Sequence, residues 1–233
     1  MKDTGGPGAS SLFGLFTEVG PLIAKEDDNQ RDVFLNLQAK IAAEIKKENW
    51  AQADILMDQL IDGELTNSSY FKKYTGFDYY YNFMKPEDDE DMTVFVDLLH
   101  NDKVRRSVHV GGLPFNSGEE VRIRLALDLL KSVAPLLETL LSHYKILLYN
   151  GQLDIVVAYP LTENFLRKLR FSSAEEYKRA PRRIWKVGAD IAGYVKTAHN
   201  LTEVLVRNAG HMVPHDQPKW ALDMINKFIH NQF

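Results

Sequence analysis

The sequence predicts an α/β fold, and three observations carry that prediction. Short apolar runs at Ile146–Tyr149 and Val204–Val206 each stop at a polar turn, Asn150-Gly151 and Asn208-Ala209-Gly210, the pattern of buried strands ending in turns. Stretches with apolar residues spaced by three or four, as on one face of a helix, precede and follow them. Each strand and turn is followed by an ionisable side chain, Asp154 after the first and His211 after the second, where open α/β sheets hold their ligands.

Size and composition narrow the possibilities. A chain of 233 residues can bury a full core as one large domain, or as one domain with a lid. Its 45% hydrophobic and 26% charged residues are ordinary for a soluble globular protein. The net charge of −4 gives no reason to expect nucleic acid or a membrane surface as partner. No apolar run approaches the roughly 20 residues of a membrane helix. With no cysteine, disulfides, thiolate catalysis and zinc-cysteine sites are excluded. No metal or cofactor is expected.

Taken in order, the chain opens on Gly5-Gly6-Pro7-Gly8-Ala9-Ser10-Ser11. Such a turn leaves backbone N–H groups free to point at an anion or a developing oxyanion, although a plain flexible turn has the same composition. Glu18 lies near it along the chain. From Asp28, Phe34, Leu37, Ile41 and Ile45 follow helical spacing, and Trp50–Ile61 is a second amphipathic piece stopping at Asp62-Gly63, so the two read as a helical hairpin. Tyr70 to Phe83 is dense in aromatics, suited to core packing or to lining an apolar pocket.

The acidic run Glu87–Asp91 lacks the central glycine and distal glutamate of a calcium loop and reads as a solvated loop. Met92–Val110, Val121–Leu130 and Pro135–Leu141 have helical spacing. A further helix is expected over Ile155–Arg170, which Asp154 could cap. Lys178–Arg183 is a basic cluster that reads as an exposed helix end. Trp185–Val187, Ile191–Lys196 and Glu203–Arg207 read as adjacent strands, and Asp216 with Pro218 starts a terminal helix.

Asp154 and His211 therefore share a local context, and they occur in the order acid then base. That order fits the late half of an α/β-hydrolase, whose nucleophile comes first. In such a pair the carboxylate holds the imidazole in one tautomer and stabilises its charged form while it carries a proton.

The whole pattern resembles the serine carboxypeptidases, above all the vitellogenic-like carboxypeptidases. The residues that carry the resemblance are Tyr149-Asn150-Gly151-Gln152-Leu153-Asp154, Gly210-His211-Met212-Val213-Pro214 and the N-terminal glycine turn followed by Glu18-Val19-Gly20-Pro21. It implies an α/β-hydrolase fold with a helical lid insertion, here truncated. Residues 1–24 would be the oxyanion-turn segment, 25–110 the lid, and 111–233 the C-terminal core. It also implies removal of C-terminal residues from peptides or proteins, with Asp154 and His211 as triad acid and base. Gly6 would be an oxyanion donor, and Gly5 and Glu18 would serve the pocket for the substrate's terminal carboxyl group. A carboxylate binds another carboxylate only by sharing a proton, so that pocket should favour acid conditions, in keeping with a lysosomal or secreted setting.

The sequence departs from the family in one respect. The Gly-Glu-Ser-Tyr type elbow carrying the nucleophile, expected between Pro21 and Asp28, has no counterpart, and neither Gly-x-Ser-x-Gly nor Gly-Glu-Ser occurs anywhere. Thr4 also replaces the amide residue that usually precedes the paired glycines. The reading from sequence is a carboxypeptidase crippled by loss of its serine, with a non-catalytic peptide- or partner-binding remnant as the alternative. Lost central strands would leave sheet edges open to self-association. Asn67-Ser68-Ser69 and Asn200-Leu201-Thr202 are candidate glycosylation triplets. The start, Met1-Lys2-Asp3-Thr4-Gly5, does not read as a signal peptide.

Overall fold

A computed structural model describes residues 28–87, 94–113, 115 and 118–233. The expected hairpin is formed by α1 (Asp28–Lys46) and α2 (Trp50–Leu60). Glu44 closes the turn between them, its carboxylate accepting from Lys47 Nζ and Asn49 Nδ2, each at 2.7 Å. Phe34, Leu37 and Ile41 of α1 pack with Leu60, Ile61 and Phe71, the last from α3 (Tyr70–Thr75). Ser69 caps α3 by accepting from Lys72 N–H, and Gly76 ends it at φ +74°. Most of the aromatic segment serves this core: Phe71 is buried, and Tyr74, Phe77, Tyr80 and Phe83 pack against it.

The expected helix over Met92–Val110 is instead two, α4 (Val94–His100) and α5 (Asp102–Ser107). Asn101 separates them because its side chain accepts from Lys103 N–H at 2.9 Å, a cap that competes with continued helix. The helix expected over Val121–Leu130 is α6 (Glu119–Leu125), shorter at its C-terminal end, and α7 (Ala134–Leu141) carries Pro135 in its first turn. It leads into β1 (Ile146–Gly151). Next come α8 (Tyr159–Lys168) and α9 (Ala174–Arg179), then β2 (Arg183–Val187), β3 (Asp190–Ala198) and β4 (Leu201–Val206). The short α10 (Val213–Asp216) and α11 (Pro218–Ile229) end the chain. The helix expected directly after Asp154 starts later, at Tyr159, with Pro160 in its first turn.

Among the described residues the sheet has four strands in the order β1-β4-β3-β2. β1 runs parallel to β4, and the other two pairings are antiparallel. Trp185, Val195, Val204 and Val206 face α11 with Ala221 and Met224, while Ile146, Leu148 and Leu201 face Leu141, Leu166 and Tyr177 of the helices on the other side. The mixed sheet thus lies between two helical layers, a common solution for burying both faces.

Glu203 of β4 is buried at 3% exposure and anchors two helices. Its carboxylate accepts from Tyr159 OH at 2.6 Å and Tyr177 OH at 2.7 Å, while the Lys196 ammonium lies 4.0 Å from the Tyr177 ring centroid. A carboxyl group this deep is tolerated because both phenols donate to it.

Candidate active site

The strand ends that carry Asp154 and His211 are joined through their backbones. Gln152 N–H donates to Val206 O and Leu153 N–H to Ala209 O, each at 2.8 Å. The approach is so close that a Cβ on Gly151 would lie 2.0 Å from Gly210 O. Glycine is therefore a geometric requirement of this crossing.

Asp154 is buried, and its two oxygens have separate tasks. Oδ1 accepts from Val157 N–H at 2.9 Å, while Oδ2 lies 2.9 Å from His211 Nδ1. Asp154 does not cap the next helix, whose N-cap is Ala158; it closes the turn before α8 instead, and its second oxygen remains for the imidazole.

His211 is held from three directions. Its backbone N–H donates to Tyr81 O at 2.7 Å, and its ring stacks on Tyr81 with centroids 5.4 Å apart and planes at 19°. At the residue before it, Asp216 accepts from Gly210 N–H at 2.6 Å and also from Asn82 Nδ2 at 2.9 Å, with Lys85 Nζ at 3.3 Å. Burial pushes the Asp216 carboxyl up, but these donors outweigh it and hold the pKa below the usual carboxylate range.

The His211 pKa is raised, chiefly by the hydrogen bond to Asp154 and against the opposing effect of burial. A carboxylate only accepts, so Nδ1 carries the proton and Nε2 is left as the basic nitrogen. The ring is about one-third exposed. Such a pair can take a proton from a hydroxyl or water and return it to a leaving group.

Gly5, Gly6 and Glu18, the residues expected to form the oxyanion and carboxyl-group site, lie outside the described residues. Asn67 stands in an exposed turn at φ +59°. Asn200 is half-buried, its Nδ2 donating to Leu141 O at 2.9 Å. No cluster of metal-ligating side chains occurs among the described residues, and no described helix is long and apolar enough to cross a membrane. Sequence reasoning missed the roles of Tyr81, Asn82 and Lys85. Their only signal was aromatic density, which does not distinguish Tyr81 from its core-packing neighbours.

The sequence pattern of the serine carboxypeptidases matches residues 4–39 and 35–231. The chain belongs to the serine carboxypeptidase family. It is 48% identical over 209 residues to the venom serine carboxypeptidase of Apis mellifera, covering 88% of this chain and 45% of that protein. Identity to the vitellogenic carboxypeptidase of Aedes aegypti is also 48%, over 211 residues, covering 89% of this chain and 45% of that one. The probable serine carboxypeptidase CPVL of Homo sapiens is 38% identical over 226 residues, which are 95% of this chain and 48% of that protein. This chain thus spans about half the length of these relatives. Among solved structures, a prohormone-processing carboxypeptidase of Saccharomyces cerevisiae, Kex1Δp, aligns with a TM-score of 0.50 and 24% identity over 65% of this chain and 36% of its own. That likeness shows the α/β-hydrolase fold.

Proposed function

We propose that this serine carboxypeptidase chain retains the acid and base of a hydrolytic site directed at peptide or protein C-termini, and cannot complete hydrolysis by itself. The reading rests on the hydrogen bond between Asp154 Oδ2 and His211 Nδ1 at the ends of two adjacent parallel strands. In this scheme His211 Nε2 takes the proton of an attacking hydroxyl, and Asp154 holds the imidazole in the required tautomer and stabilises its charged form. Gly6 would donate to the oxyanion, and Gly5 and Glu18 would receive the terminal carboxyl group. Residues 25–110 would cover the cleft as a lid on the 111–233 core.

The chain contains no serine elbow, so its own turnover is confined to what oxyanion donors and binding supply, about 10³–10⁴-fold over water in well-studied triads. A lysosomal or secreted setting suits the shared-proton pocket.

A fluorophosphonate probe tests the catalytic half of this reading. The isolated chain should remain unlabelled, and stoichiometric labelling of one serine would overturn it. Calorimetric titration tests the substrate class. Peptides with a free C-terminus should bind at acid pH and their C-terminal amides should not; equal binding of both would refute carboxyl-group recognition.

A further inference from the structure

We infer that Asn82 is a positioning residue for the acid–base pair, holding the loops of Asp154 and His211 at once through the short segment Tyr81–Phe83. The inference rests on the catalytic reading above and adds a residue to it.

Asn82 is buried, and its side-chain hydrogen bonds bypass both members of the pair. Nδ2 donates to Asp216 Oδ2 at 2.9 Å, and Oδ1 accepts from Met84 N–H at 3.0 Å. These two bonds fix the backbone on either side of it. Tyr81 O accepts His211 N–H at 2.7 Å, and Phe83 N–H donates to Leu153 O at 3.1 Å. The residues flanking Asn82 thus grip the base loop and the acid loop.

Leu153, one position before Asp154, is held from two sides. Its N–H donates to Ala209 O at 2.8 Å while its carbonyl accepts from Phe83. The base loop is held as closely, since a Cβ on Gly210 would lie 2.3 Å from Tyr81 O and 2.6 Å from Asn82 Cβ. Asp216 Oδ2 then accepts both Asn82 Nδ2 and the N–H of Gly210, at 2.9 and 2.6 Å. One carboxylate oxygen therefore ties the Asn82 side chain to the residue before His211.

The residue type suits the task. An amide donates to Asp216 without bringing charge, whereas a carboxylate of the same shape would repel it. Acid–base groups must be held to within about 0.5 Å by supporting hydrogen bonds, and the 2.9 Å separation of Asp154 Oδ2 and His211 Nδ1 spans the two loops that this segment joins.

The test reads the imidazole of the full chain by NMR, as the His211 titration and as the downfield signal of the Nδ1 proton hydrogen-bonded to Asp154. Asn82→Ala should bring the titration down toward the ordinary histidine value and abolish the signal. Leu141→Ala, a buried change on α7, should destabilise the chain and leave both readouts in place. The isosteric Asn82→Asp should lose the signal at neutral pH, and it decides the matter if Asn82→Ala does not fold. A folded Asn82 variant with both readouts unaltered overturns the inference, as does an equal change in Leu141→Ala. Failure of both Asn82 variants to fold would make the residue structural and overturn it as well. Absence of the signal and of a raised titration in the unaltered chain would overturn the pairing of Asp154 with His211, and this inference with it.

Discussion

Asp216 Oδ2 accepts the backbone N–H of Gly210 at 2.6 Å, one residue before His211. The contact couples the first turn after β4 to the start of the terminal helices, and through Asn82 and Lys85 to the segment that stacks on the imidazole. Asp216→Ala should destabilise the chain by about 2–4 kcal/mol, because it orphans buried donors as well as removing a charge. Lys85→Ala should cost less than about 1 kcal/mol, since that ammonium is one-third exposed. Urea denaturation of the two variants checks the contrast. The Asp216 pKa is lowered on folding, so its contribution is present above the unfolded pKa and is lost as pH falls through the folded one.

Asp154→Asn should lower the His211 pKa, because the hydrogen bond to Asp154 is the largest cause of its elevation. Titration of the imidazole resonances by NMR reads this directly. In the unaltered chain the raised pKa gives stability that is full below the unfolded value and lost as pH rises through the folded one. The variant should therefore show a weaker loss of stability in that window. An unchanged imidazole titration would mean that the pair does not form in solution.

A second acid response is built around Asp62. Its carboxyl is pushed up to about 6, first by burial and then by the neighbouring Asp58, with Glu64 adding repulsion and Arg122 opposing it. Arg122 Nη2 lies 3.3 Å from both Asp58 and Asp62, and Tyr80 also faces this group. Because the folded pKa exceeds the ordinary aspartate value of 3.8, the folded state binds the proton more tightly, and stability falls as pH rises from about 4 to 6. Asp62→Asn should flatten that slope and stabilise the chain at neutral pH by on the order of 2 kcal/mol. Thermal melts across this range measure both effects.

Gly151→Ala should cost about 3 kcal/mol or more, since the added methyl meets the Gly210 and Ala209 carbonyl oxygens at 2.0 and 2.3 Å and neither strand end can withdraw without breaking the Leu153–Ala209 bond. Gly112→Ala meets nothing within 4 Å, and a change within about 0.5 kcal/mol is expected. Chemical denaturation of the pair separates close backbone approach from a general cost of replacing glycine.

Much of the secondary structure was legible because periodicity is local. The α1–α2 hairpin and the strands of the β2–β4 meander fall where apolar spacing put them. The misreadings arose at polar side chains competing for the backbone, as at Asn101, or at a helix start displaced past a turn, as at Tyr159. Asp154 and His211 stood out because each follows an apolar strand and a turn. Tyr81, Asn82 and Lys85 did not, since their partners lie far away in the chain.

By itself the sequence determined the α/β class, the family and the order of acid and base, because strand ends, turns and residue types are written within a few neighbouring positions. Only the tertiary structure decided that one oxygen of Asp154 serves its own turn while the other meets His211, and that the Tyr81–Lys85 segment clamps the imidazole from across the fold. These are distances between groups separated by many residues, and they depend on how two loops cross at Gly151 and Gly210, a geometry that packing sets and local propensity does not encode.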